Sequence, residues 1–506
     1  MAEAAADARP PFPLVWLLAL VTLARLSLAA TLPLGIDEAY AVAVSRAWSL
    51  SYFDHPPLAF NLARLAADIL GSEHRLAVRL PMQLLALGSA LVLHDLTRVL
   101  YGRAAAWWAV ALFATAPFFA VMAGAVVPDS PLVLGVLLVA RLLLPLLDVA
   151  PARRNGWIWL MGGGALALAG LSKYHAVLLM AAGGLALLAT AGGRRWLATP
   201  WPWLALAIGA IGLAPALWWN AEHGWVSLAF QGSRAGSATR IEWLNAARMW
   251  GGQGLYLGPL AVLAIGFGLT HRGRSGCMAG WRDSERGLVV LAAVLILPFL
   301  MSAFVARGSL PHWTMAGWSL LLPPAGAWLA SASSRWRRGL AVQAGVLALV
   351  AIAAVAQART GALTAGFAAQ PSFDDTREFS DWEEIGPQLR DAGIDPEGAA
   401  IVASTWIEAA KIAVALGPRA RVGVLSDDQR HFAHVETAQA ARRRPDVVLR
   451  AVAPARAEAE RQRFGAMLAA GPWEMRPMAD LRLRRGGGRV FLTLLAWRRA
   501  GSGQEN

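Results

Sequence analysis

The chain has 506 residues, 57% of them hydrophobic and 16% charged, with 23 Trp and a mean hydropathy of +0.46. That balance is too apolar for an ordinary soluble enzyme and indicates a polytopic membrane protein. The excess of 46 Lys and Arg over 33 Asp and Glu suits cytoplasmic loops and anionic lipid, so membrane lipid is expected as a partner and nucleic acid is not; the lone Cys277 excludes an intrachain disulfide and a multi-cysteine metal centre.

The first apolar run, Pro13 to Leu32, is long enough to span a bilayer, and no clear small-residue cleavage pattern follows it, so it is expected to remain as a helix. Apolar windows at 81–97, 104–123, 131–148, 157–172, 174–191, 201–219, 244–270, 288–305, 314–331 and 339–357 bring the expectation to about eleven spans. The basic residues test that count. Arg98 and Arg103, Arg153 and Arg154, Arg194 and Arg195, Arg272, Arg274, Arg282 and Arg286, then Arg335, Arg337 and Arg338 all fall on one side, which the positive-inside rule makes cytoplasmic. The opposite face receives the first loop (33–80), Val126 to Pro131, Ser172 to Tyr174, Asn220 to Glu242, and Arg307 to Trp313.

From about residue 358 long apolar runs give way to short β-prone strings at 400–403, 422–425, 447–449 and 490–494, alternating with helical stretches around 378–392, 406–416 and 455–468. The expected organisation is a transmembrane domain over 1–357 and a small extracytoplasmic α/β domain over 358–506. The latter carries no Gly-rich phosphate loop of standard spacing.

Within the outer face the chemistry-bearing residues cluster. Asp37 and Glu38 follow the first span, where one carboxylate can be partly desolvated and made more basic while water still reaches it; the plainer alternative is a pair capping the next helix. Asp54 and His55 precede Pro56-Pro57, which holds them in an extended orientation. Lys173 is one of only two lysines and is suited to a phosphate leaving group, or else snorkels to the headgroups. Asp129 at a helix boundary reads as an N-cap or a substrate ligand. Trp219 to Trp225, with Asn220 and His223, then Gln231 and the Pro311-His312-Trp313 string, mix interfacial aromatics with groups that could bind a sugar. His55, His223 and His312 share a face without metal-ligand spacing, so no cofactor is expected, a divalent metal staying a minor alternative.

Taken in order, the Asp-Glu pair, Tyr52-Phe53-Asp54-His55-Pro56-Pro57-Leu58, Pro128-Asp129-Ser130-Pro131-Leu132, Leu171-Ser172-Lys173-Tyr174, Trp219 to Trp225 with Phe230-Gln231, and Pro311-His312-Trp313 resemble glycosyltransferase family 39. The resemblance is to its bacterial dolichyl-phosphate-mannose-protein mannosyltransferase-like branch, with the lipid A aminoarabinose transferase as a relative. It implies a GT-C fold, an active site in the outer loops and a polyprenyl-phosphate-linked sugar as donor. It also implies that Asp37 is the general base with Glu38 beside it and that His55 stands at the donor-phosphate position; from the charges, Lys173 and Arg75 or Arg79 are expected to join His55 there, and Asp54, Asp129, Tyr174, Asn220, His223, Gln231 and His312 are expected to meet substrate. In the aminoarabinose transferase the position before the double proline is a lysine. Here it is His55, so either Lys173 carries more of the phosphate's charge or the donor differs.

The expected reaction is an inverting transfer of the sugar to a lipid, glycan or protein hydroxyl outside an inner or plasma membrane. The contrasting reading is a transporter or lipid flippase, whose ionisable groups would lie near the midplane on interrupted helices, often within inverted repeats.

Overall fold

The computed structural model describes residues 11–121, 124–235, 240–273, 280–306, 308–364, 374–485 and 489–501; Arg274, Cys277 and Arg307 lie outside them. The chain divides into two compact units, each taken here by itself: one of Met1–Leu26, Leu50–Ala59 and Leu80–Ala348, the other of Ser27–Ser49, Phe60–Arg79 and Leu349–Asn506.

Each apolar window of the sequence coincides with helix, but fewer cross unbroken than the hydropathy predicts. Among the described residues five helices are long and apolar enough: Leu14–Thr31, Arg75–Tyr101, Asp129–Asp148, Asp283–Ser302 and Ser334–Thr360. Three bent pairs raise the number to eight if each is one span, with bends of 109° near Thr190, 42° near Gly212 and 95° at Gly258. The causes are local. Gly258 has φ +80° and is followed by Pro259; Thr190 accepts the Gly193 N–H and starts a new helix; Pro215 opens the helix Ala214–Glu222. Pro117 likewise divides 104–123 into Arg103–Thr115 and Pro117–Val121, and Pro323-Pro324 sits at the start of Leu322–Ser331. The helix Gly156–Ser172 has 17 residues, a length of about 25 Å.

In the helical unit an ionised group is matched to one of these breaks. Arg25, 7% exposed, donates to the carbonyls of Phe119 (2.7 Å) and Ala120 (3.3 Å), which lie in the last turn of the short helix Pro117–Val121. Carbonyls at a helix end lack intrahelical partners, and a buried guanidinium needs acceptors, so each satisfies the other. Elsewhere close backbone approach replaces bulk. A Cβ at Gly163 would fall 2.8 Å from the Ala205 carbonyl oxygen, and one at Gly212 2.3 Å from that of Ala167, so Gly156–Ser172 and the Trp201–Ile211 segment touch through glycine. Trp196 fills the core and donates its indole N–H to the Leu146 carbonyl at 2.7 Å.

The second unit contains a sheet in the order β2-β1-β3-β6-β4, with β5 also on β6. The strands are β1 (Ala400–Ala403), β2 (Arg421–Val424), β3 (Val447–Val452), β4 (Met475–Pro477), β5 (Leu481–Arg485) and β6 (Arg489–Arg499). β2, β1 and β3 are parallel, joined through the helices Trp406–Leu416 and Glu436–Arg443, and β6 pairs antiparallel with β3, β4 and β5. β1, between β2 and β3, is buried throughout and continuously apolar (Ala-Ile-Val-Ala), as a strand covered on both faces must be. β5 reads Leu-Arg-Leu-Arg-Arg with Leu481 and Leu483 inward, an alternation that leaves no apolar string in the sequence. Val402, Val448, Leu495, Phe464 and Trp497 form the core on one face of this sheet.

Gly163 and Gly164 make a matched pair, since a Cβ at Gly164 meets nothing within 4 Å. Gly163→Ala should destabilise the detergent-solubilised protein by about 1–3 kcal/mol through overpacking, while Gly164→Ala should leave it unchanged or stabilise it by up to about 1 kcal/mol. Thermal unfolding followed on both variants checks this.

Candidate functional site

In the second unit the segment after the first span is held by cations. The helix Ile36–Ser45 begins after Gly35, whose N–H is accepted by Glu38 at 2.9 Å, an acid reaching back over the first turn. Glu38 is 3% exposed and is gripped by Arg79, Nε to Oε1 at 2.7 Å and Nη2 to Oε2 at 2.5 Å. Arg79 also donates Nη1 to the carbonyls of Ala29 (2.8 Å) and Leu32 (2.6 Å), and Nη2 to that of Pro33 (3.0 Å). All five guanidinium N–H groups are therefore used. Arg79 has no donor left for a phosphate, and the sequence expectation for it is corrected: it is a buried anchor.

Glu38 is corrected with it. Its carboxylate is spent on the Gly35 amide and Arg79, which is the capping role weighed against catalysis. Asp37, the preceding residue, points the other way and is exposed. Successive helix positions differ by about 100° in direction, so one acid of the pair goes in and the other out. Burial and the charges of Asp375 and Asp37 raise the Glu378 carboxyl, placing Asp37 in an acidic neighbourhood. Arg75 turns to Asp381 (3.3 Å) and Glu383 (3.6 Å) and to the Thr31 carbonyl, at the rim of the same segment.

In the helical unit a second polar cluster forms. Lys173 ends the helix Gly156–Ser172, and Asp129 begins Asp129–Leu143. Both are buried, and the ammonium sits 2.9 and 3.0 Å from the two Asp129 oxygens. Pairing is what makes two buried charges tolerable. Two of the three ammonium N–H groups go to Asp129, leaving one. His175 and His312 lie within electrostatic reach of Lys173, and His55 within that of both imidazoles, with Arg234 also reaching His312. Burial pushes the His312 imidazole down to about 4, against the pull of Asp129, so it is neutral at pH 7. Its ring stacks on Phe118, which in turn meets Tyr256 edge-on. His175 stacks on Phe299 at 4.6 Å, and its buried Nε2 has no hydrogen-bond partner among the described residues. Sequence reasoning missed His175, although it stands two residues past Lys173; Tyr256 and Arg234 carried no local signal.

The loop before the double proline is fastened to this unit. Tyr52 N–H and Ser51 Oγ donate to the His55 carbonyl, Gln231 Nε2 donates to the Asp54 carbonyl at 2.7 Å, and Phe53 packs on Phe230. Gln231 thus acts as a tether. Asn220 is fully buried: its Nδ2 donates to the Tyr174 hydroxyl (3.2 Å) and the Ala216 carbonyl (2.8 Å), while Oδ1 accepts the Ser227 N–H (3.1 Å). Both amide hydrogens are used, and the oxygen holds Ser227 just past the turn at Gly224 and Trp225, both at positive φ. The expected substrate contact by Asn220 is therefore corrected to a structural role that also holds Tyr174. His223 stacks on Trp219 at 4.0 Å, with Nδ1 2.7 Å from the Trp219 carbonyl, closing the end of its own helix. Among the described residues no three His, Cys, Asp or Glu side chains are grouped to hold a metal.

Comparison with known proteins converges on one group. Residues 54–219 match the family model described as dolichyl-phosphate-mannose-protein mannosyltransferase. The lipid A galacturonosyltransferase RgtD of Rhizobium johnstonii is 27% identical over 310 residues, 60% of this chain and 62% of that protein, so the chain spans less than two thirds of this relative. The solved structure of ArnT from Cupriavidus metallidurans bound to undecaprenyl phosphate aligns over 97% of this chain and 99% of its own, with 14% identity and a TM-score of 0.60. Its apo state aligns over 95% and 97%, with 14% identity and a TM-score of 0.61. At that identity the two structures establish the fold.

Replacing Arg79 alone should be costly, because Glu38 would be left buried and unpaired. Arg79→Met is expected to lose about 3–5 kcal/mol of stability, and the Glu38→Met/Arg79→Met double variant should recover a large part of it. Thermal unfolding of the three proteins in detergent checks the pair.

Proposed function

We infer that this chain, a GT-C-fold member of the dolichyl-phosphate-mannose-protein mannosyltransferase family, moves a sugar from a polyprenyl-phosphate donor to an extracytoplasmic hydroxyl. The observation that carries the reading is a coincidence of position. The family match over 54–219 covers the stretch that supplies Asp54, His55, Asp129, Lys173 and Tyr174, and these fall in one unit around a buried ion pair. Undecaprenyl phosphate in the ArnT structure supports a lipid-linked donor, and the lipid A acceptor of RgtD supports a glycolipid acceptor and a sugar of the uronic acid class. The protein is multi-pass. Its orientation, with the arginine-rich loops cytoplasmic and residues 358–506 extracytoplasmic in an inner membrane, follows from the distribution of basic residues.

The chemistry assigns one task to each group. Asp37, exposed at the start of its helix, accepts the proton of the acceptor hydroxyl. The hydroxyl oxygen attacks the anomeric carbon, the bond from that carbon to the phosphate oxygen breaks with its electron pair going to phosphate, and configuration inverts. The remaining Lys173 N–H and His55 stabilise the departing phosphate, and neutral His312 offers a ring N–H rather than a charge. Asp129 fixes the direction of the Lys173 ammonium. Residues 1–357 form the transferase body and 358–506 the accessory α/β domain. No acidic, basic or histidine residue of the Lys173 cluster lies at the helix breaks near 190, 212 and 258, where a transporter would place its site.

Asp37→Asn should lower kcat about 10²–10⁴-fold with insertion and melting unchanged, measured with a labelled polyprenyl-phosphate sugar and a glycolipid acceptor. Turnover retained at the wild-type rate would remove Asp37 from the role of base.

A further inference from the structure

The second lysine of the chain is used by none of these steps, yet it is buried. Lys411 lies in the helix Trp406–Leu416, is 6% exposed, and donates to two main-chain carbonyls, Leu34 at 2.6 Å and Ser380 at 3.1 Å. No carboxylate within ion-pair distance of it is recorded among the described residues. Spending a buried ammonium on neutral carbonyls is expensive compared with an apolar side chain of similar length, which makes the choice of target informative. Leu34 stands three residues before Asp37. Ser380 follows Phe379, whose ring packs on Gly35 so closely that a Cβ there would come within 2.9 Å of it.

With Arg79 on the carbonyls of Leu32 and Pro33, three consecutive carbonyls before the acid-bearing helix are each turned onto a cation. The helix Trp406–Leu416 also meets Ile36–Ser45 further along. The Tyr40 ring lies 5.3 Å from that of Trp406, and Arg46 Nη2 donates to the Ala413 carbonyl at 2.9 Å. Anchors thus stand before, in the middle of and just beyond the helix that carries Asp37, and Lys411 is the one nearest the acid.

We propose that Lys411 is a positioning residue for the Asp37 carboxylate: by holding the Leu34 and Ser380 carbonyls, it makes the C-terminal α/β domain part of the transferase machinery. The proposal rests on Asp37 being the base. It gives the domain a function that the absence of a phosphate loop left open.

The charge state supplies an independent readout. Burial pushes the Lys411 ammonium down to about 8; Asp381, Glu38 and Glu378 face it and support the charge, and Arg79 opposes it. The group is therefore cationic at neutral pH and becomes a neutral amine, a weaker donor, as pH rises through about 8. An arginine stays charged throughout this range.

The test uses the full-length protein in detergent or nanodiscs with a labelled polyprenyl-phosphate sugar, comparing wild type, Lys411→Met, Lys411→Arg and Asp37→Asn. Lys411→Met should lower kcat about 10–100-fold while the donor KM stays within about twofold, and amide exchange over residues 32–40 should quicken. Lys411→Arg should keep most of the activity at pH 7 and move the alkaline limb of the wild-type profile upward by about one pH unit or more. Wild-type kcat in Lys411→Met, or an alkaline limb unmoved in Lys411→Arg, overturns the proposal; if the Met variant fails to fold, the Arg profile decides alone. Activity in wild type that survives Asp37→Asn refutes the base assignment on which the proposal stands. No turnover in wild type refutes the transferase reading itself.

Discussion

The Glu38–Arg79 pair is the constraint on which the segment carrying Asp37 depends. A carboxylate and a guanidinium taken out of water together are tolerable only when every remaining donor and acceptor is also met, and here the remaining donors are met by the carbonyls of Ala29, Leu32 and Pro33. The end of the first helix and the start of the next are thereby locked to a single residue of Arg75–Tyr101. Asp37 inherits its direction from that lock. An acid on an exposed first turn is otherwise an ordinary feature, and rigid support is what turns one into a usable base.

The helical unit solves a different electrostatic problem. Lys173 and Asp129 neutralise each other, yet the ammonium keeps one N–H beyond that partner and has His175 and His312 within electrostatic reach. Pairing makes the two buried charges tolerable, and the proposed phosphate contact uses the N–H that Asp129 leaves over. This arrangement explains how a chain with His55 in place of a lysine before the double proline can supply a cationic contact. In the proposed reaction the charge comes from Lys173, and neutral His312 contributes a hydrogen bond.

Much of this was legible in the amino-acid sequence, and the rest failed for physical reasons. Apolar windows located the helices because bilayer burial demands long uninterrupted hydrophobicity. They could not show that the chain turns at Gly258 or at Thr190, since hydropathy is blind to φ and to capping. The short apolar strands β1 and β3 were readable, whereas β4 and the arginine-laced β5 were not. Asp129 and Lys173 could each be singled out, but a pairing across 44 positions has no local trace. The same holds for Lys411 and Leu34. Asp37 and Glu38 were read as one motif; which acid faces inward depends on where Arg79 lies, and that is tertiary information. Asn220 shows the converse error, because a polar residue among interfacial tryptophans looks like a ligand until its amide is found fully bonded.

The central claim, group transfer from a lipid-linked sugar, is tested most directly by phosphorus NMR of the purified protein with a polyprenyl-phosphate sugar and a glycolipid acceptor. Conversion of the donor phosphodiester to polyprenyl phosphate monoester, matched by one glycosylated acceptor of inverted configuration, is the predicted result. A phosphodiester that stays intact while the protein moves it between vesicle leaflets would contradict the account and identify a flippase.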